Sequence, residues 1–127
     1  MVPARIYPVL QPKSSNRKVN HLNPEVIVQI KAFIQGAVYC WVKNRKNEQF
    51  SVRDLFGGEN FEWNGTPLIH LYEKHANMFK KEHEAAMKDA AKDLGCLLKD
   101  VLITDKRTFT KDDAGFTAGY TWVGDEP

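Results

Sequence analysis

The stretch EHEAAMKDAAKDLGCLLKDV, residues 82–101, decides the reading of the fold. Within it Met87, Ala90, Ala91, Leu94, Leu97, Leu98 and Val101 recur at intervals of one, three and four, the period of an amphipathic helix rather than of a strand. The spacing predicts a helix from about Glu82 to Asp100, with that stripe turned to a core. At about 100° per residue, Lys88, Lys92 and Lys99 fall together on one flank of the polar face, and Asp89, Asp93 and Asp100 fall on the other. The charges are sorted, and Gly95 and Cys96 leave a low spot between the lysines where a bulky backbone can approach.

Downstream of this helix the period changes. Ile103 to Thr110 and Phe116 to Val123 are rich in β-branched and aromatic residues, and Phe116, Ala118, Tyr120 and Trp122 alternate along the second run. Lys111-Asp112-Asp113-Ala114-Gly115 between them is turn material, so a C-terminal β-hairpin with a charged tip is expected. Gly124 to Pro127 reads as a frayed polar tail.

Upstream, Asn23-Pro24 is a helix start with a mechanism: the Asn side chain accepts a free backbone N–H, and Pro in the first turn sacrifices no hydrogen bond. Val26, Ile27, Ile30, Phe33, Ile34, Ala37, Val38 and Trp41 then form one apolar face over more than four turns, the main core helix. Gly36 within it costs about 1 kcal/mol relative to Ala, which implies a neighbour packed close against it. Lys43, Arg45 and Lys46 suit the negative end of the helix dipole. Next come Phe50, Val52, Leu55 and Phe56, with Ser51 as the cap of a brief helical turn and Gly57-Gly58 as its stop. Asn64-Gly65 marks a turn, and Thr66-Pro67 repeats the cap-plus-proline start for a second helix, with Leu68, Ile69, Tyr72 and Ala76 inward and an end near Asn77.

Residues 1–22 carry Pro3, Pro8 and Pro12, the basic Lys13, Arg17 and Lys18, and few regularly spaced apolar positions, so they read as an arm. Ile6, Tyr7, Val9 and Leu10 could still dock as an extended strand. Residues 23–124 are then the folded domain, of mainly helical α+β class, a three-helix core with the hairpin beside it. The full length of 127 residues matches one domain plus this arm.

Composition narrows the function classes. Hydrophobic residues make up 43% and charged residues 27%, which fits a globular chain and excludes wholesale disorder. The 18 Lys+Arg against 16 Asp+Glu give a net charge of only +2, far from a histone-like protein, so any contact with nucleic acid depends on charges segregated in space. Cys40 and Cys96 lie in helical stretches without disulfide or metal spacing and are expected to be free, buried thiols in a reducing, cytoplasmic setting. No signal-peptide pattern opens the sequence. Val26 to Val42 is punctuated by Gln29, Lys31 and Gln35, so it reads as an amphipathic helix and no membrane association is expected.

The order helix, short extended piece, two helices and hairpin resembles a winged helix domain over roughly residues 24–123. On this resemblance Phe50-Ser51-Val52 would be the short strand, Thr66 to Ala76 the second helix, His83 to Asp100 the third, and Thr110 to Phe116 the tip of the wing. The chain departs from the family in its long third helix and in an insertion around Phe61 to Trp63. The resemblance implies that the third helix enters the major groove of DNA while the wing reaches the neighbouring backbone or minor groove. Lys88, Lys92 and Lys99 on the helix, and Lys106, Arg107 and Lys111 on the hairpin, become the DNA contacts it implies.

Catalysis has little support in the sequence. His70 and His75 are five apart and miss the i,i+4 pairing of a helical zinc site, while His83 is isolated. Asp100, Asp105 and Lys106 lack the acid–x–lysine order of a metal-dependent nuclease. No nucleophile elbow, phosphate-cradling glycine loop or Cys-His pairing is present, and no metal or other cofactor is expected. Trp63, beside Glu62 and Asn64, reads as an exposed aromatic that could anchor a protein partner. The expectation is therefore a non-enzymatic module that binds double-stranded DNA. A protein-interaction or adaptor domain of the same fold is the competing reading, and a homodimer through the long first helix is a third.

Overall fold

A computed structural model of the chain describes residues 19–45, 48–58, 61–105, 107–113 and 117–124. Its elements run α1 (Pro24–Asn44), β1 (Phe50–Ser51), α2 (Val52–Phe56), α3 (Ile69–Glu73) prolonged by a π-turn (Lys74–Met78), α4 (His83–Thr104), β2 (Thr108–Asp112) and β3 (Gly119–Gly124). The protein is thus mainly helical with one small antiparallel sheet. Of the arm, only residues 19–22 are described, and Val19 and Leu22 pack on the core; Ile6, Tyr7, Val9 and Leu10 lie outside the described residues.

Both local caps form as their chemistry dictates. Asn23 Oδ1 accepts the Glu25 N–H at 2.9 Å, with Pro24 in the first turn of α1. Ser51 and Asp54 make a reciprocal capping box on α2, the Ser51 N–H donating to the Asp54 carboxylate at 2.8 Å and the Asp54 N–H to Ser51 Oγ at 3.3 Å. Helix α1 buries Ile30, Ile34, Val38 and Val42, one residue per turn, against α4, which buries Ala90, Leu94, Leu97, Leu98, Val101 and Leu102. An 18-residue window of α1 reaches mean hydropathy 1.2, enough by length and composition to cross a bilayer, yet this buried row belongs to the core.

The sheet closes the core from the other side. Strand order is β1-β3-β2, all neighbours antiparallel, with Phe50 opposite Tyr120 and Phe109 opposite Trp122. Phe50 meets Phe109 edge-on at 6.1 Å and Tyr120 at 6.0 Å, so one aromatic cluster holds β1 to the sequence-distant β2–β3 hairpin.

Several expectations are corrected. Ile103 belongs to α4 and not to a strand: Val101 and Leu102 continue the buried stripe, so helical packing overrides the β preference of the branched residues that follow. Helix α3 starts at Ile69, because the N–H groups of Ile69, His70 and Leu71 first bond to carbonyls three residues back in a tight turn. Thr66 shapes that turn instead of capping the helix, accepting the Leu68 N–H and donating to the Trp63 carbonyl. Gly36 is exposed, and an added Cβ would meet nothing within 4 Å, so no neighbour explains it. Phe33 is 38% exposed, leaning on Phe56, while Val42 takes a core place. Cys40 is exposed and Cys96 half-buried, neither fully buried as expected, and no disulfide joins them.

Candidate nucleic-acid interface

The two flanks of α4 have opposite fates. The lysine flank opens onto a cleft of about 1050 Å³ between α4, α2 with its following loop, and the β2–β3 hairpin. Lys88, Lys92 and Lys99 line it from α4, Arg53 from α2 and Lys111 from β2, against a single acidic residue among the described residues, Glu84. Lys88 and Lys92 are exposed, and neither has an ion-pair partner among the described residues. Lys111 lies 3.3 Å from Asp113. Gly95 is part of the same lining, and a Cβ added there would meet nothing within 4 Å, so the low spot between the lysines is real space.

Much of the remaining lining is apolar. Met87, Ala91, Leu94 and Leu98 come from α4, and Phe61, Trp63 and Tyr120 face them. Burial pushes the Tyr120 hydroxyl up to about 12, with the nearby Asp113 adding to the effect.

The aspartate flank turns the other way, into the joint with α3. Asp93 is 4% exposed and its Oδ2 accepts from Lys74 Nζ at 2.6 Å and from His75 Nε2 at 2.8 Å. The π-turn, in which the Phe79 N–H reaches back five residues to the Lys74 carbonyl, lets two consecutive side chains converge on one carboxylate. Lys74 Nζ also donates to the Asn20 carbonyl at 3.1 Å, tying down the segment before α1. Lys81 bridges outward, 3.0 Å from His75 Nδ1 and 2.6 Å from Asp89 Oδ2. That short bond to Lys81 holds the Asp89 carboxyl below the usual carboxylate range. Two of the acidic groups that would repel a phosphate backbone, Asp89 and Asp93, are therefore neutralised on the far side of α4 from the cleft.

Of the residues singled out from sequence, Lys88, Lys92, Lys99 and Lys111 meet in one place. Arg107 does not join them: its guanidinium sits 4.0 Å above the Tyr39 ring and 3.7 Å from Asp105 Oδ1, packed against α1. Lys106 lies outside the described residues. Trp63 is corrected from exposed to buried, at 4% exposure; it stacks on Phe61 at 3.5 Å, and its indole N–H donates to the Phe56 carbonyl at 2.9 Å. Its polar flanks hid a stacking partner only two positions away.

Sequence reasoning missed Arg53 and the Lys74–His75–Asp93 cluster. Asp93 carried a usable signal, since Ala90 and Leu97, one turn before and after it, both face the core. Comparison of the chain with protein-family models, with curated proteins and with solved structures finds no match in any of the three.

Proposed function

We propose that this protein is a winged-helix-like module that binds double-stranded DNA, with α4 as the groove-facing helix and the β2–β3 hairpin as the wing. The observation that carries the reading is the convergence of Lys88, Lys92 and Lys99 with Lys111 and Arg53 along one face. Cations from three separate elements on one side, with Asp89 and Asp93 of α4 paired on the other, make a nearly neutral chain locally basic. The element order and the strand order β1-β3-β2 support the same reading, because the hairpin adds to β1 through β3 and leaves β2 as the outer edge strand.

The reading as a protein-interaction module rested on the acidic-basic third helix together with an exposed Trp63, and the burial of that side chain removes the second of these supports. Charge reversal tests the DNA reading: Lys88→Glu with Lys92→Glu should weaken duplex binding at least tenfold in an anisotropy titration, with an unchanged melting temperature. Unaltered affinity in the double variant would sink the assignment of this face.

A further inference from the structure

Duplex DNA can account for the cations of the cleft but not for its apolar lining. A rigid duplex carries its phosphates on its outside and cannot fill a hollow of about 1050 Å³ that descends between α4 and the hairpin. The accessible apolar lining of that hollow includes the half-buried Met87, Ala91 and Phe61, backed by the buried Leu94, Leu98, Trp63 and Tyr120. Such a volume stands at the upper end of small-molecule sites, which are commonly about 300–1,000 Å³, mostly apolar and fitted with a few convergent polar groups. Among the described residues the charged groups of the lining are almost all of one sign. Lys88 and Lys92, without ion-pair partners among the described residues, line the same cleft as this apolar surface, at i,i+4 spacing on one face of α4.

We infer that the cleft is a binding site for an organic anion with an apolar tail, its head held by Lys88 and Lys92 and its tail laid over Met87, Ala91 and Phe61. Two independent features select this chemistry. The cation row disfavours a neutral or cationic guest, and the apolar lining gives an inorganic anion nothing to bury. Resting on the DNA reading above, the same two lysines cannot serve a ligand head and a DNA phosphate at once, so the bound anion releases DNA.

Medium-chain carboxylates are suitable probes, with calorimetry and intrinsic tryptophan fluorescence as readouts on the full chain. Decanoate should bind saturably at one per chain, and octanoate roughly tenfold more weakly, since each buried methylene changes affinity by about fourfold at most. Decanol, which lacks the charge, and inorganic phosphate, which lacks the tail, should each bind at least tenfold more weakly than decanoate. Lys88→Ala with Lys92→Ala should bring decanoate down to the level of decanol, and Ala91→Phe, which narrows the cleft while leaving every cation in place, should abolish binding of both. Circular dichroism verifies that each variant is folded. Absence of saturable decanoate binding to the folded wild-type chain overturns the site, as does equal affinity for decanol. Because these titrations contain no DNA, they fail independently of the duplex titration. Where both ligands bind singly, decanoate that leaves the apparent duplex affinity unchanged overturns the competition.

Discussion

Lys74 Nζ and Asp93 Oδ2 stand 2.6 Å apart with their side chains only 4% and 5% exposed, and the pair joins the π-turn after α3 to the middle of α4. A buried charge left without its partner is far more costly than an exposed one. Asp93→Ala strands Lys74 and removes the acceptor of His75, so it should destabilise the protein by about 3–5 kcal/mol. The partly exposed Lys81–Asp89 pair should cost under about 1 kcal/mol when Asp89 is replaced by Ala. Urea denaturation of the two variants side by side checks the contrast; equal losses would mean that the joint is not the anchor of α4.

Alkaline pH should destabilise the protein through Tyr120. Its hydroxyl is raised from an ordinary value near 10 to about 12 by burial, so the folded state holds its proton more tightly than the unfolded chain does. The contribution is therefore complete below about pH 10 and declines as pH rises towards 12, a loss of about 2–3 kcal/mol by the linkage relation. Tyr120→Phe should flatten the stability curve over that interval, as read by denaturant midpoints at successive pH values.

At the acid end the sign is opposite. The Asp89 carboxyl is lowered by its bond to Lys81, so its contribution is intact above the ordinary carboxylate range and vanishes as pH falls through the lowered folded value. Asp89→Asn should remove a small part of the acid-side slope, under about 1 kcal/mol given the exposure of the pair. Thermal melts between neutral pH and about pH 3 test it.

Gly36 lies in the exposed middle of α1 with open space where a side chain would begin. Gly36→Ala should stabilise the protein by about 0.5–1 kcal/mol through helix propensity and chain entropy alone. A lowered melting temperature would show that a backbone approaches this face in solution, the outcome required by a dimer packed on α1.

What can be read from sequence divides along a physical line. Helices α1 and α4 are legible because long amphipathic repeats over-determine their period, and Asn23 and Ser51 because capping is local chemistry. The two-residue strand β1 is legible only through the winged-helix resemblance, which places it at Phe50-Ser51-Val52, because its pairing with Tyr120 and Gly119 joins segments far apart in the chain that no window of sequence contains. The end of α4 escapes the pattern because Ile103 prefers strands in isolation, whereas the buried Leu102 beside it holds the helix. Sorting of the lysines on the helical wheel anticipates the basic side of the cleft, but Asp93 reads as a solvated charge until its partners on the π-turn are in place.

The central claim is that the cations around α4 meet a duplex backbone, and a fluorescence anisotropy titration of the wild-type chain with random-sequence duplex DNA at about 50 mM and 200 mM salt tests it most directly. Neutralising about three to five phosphates should give saturable binding at the lower salt and a loss of roughly 40-fold to 500-fold at the higher. No binding at the lower salt, or an affinity indifferent to salt, would contradict it.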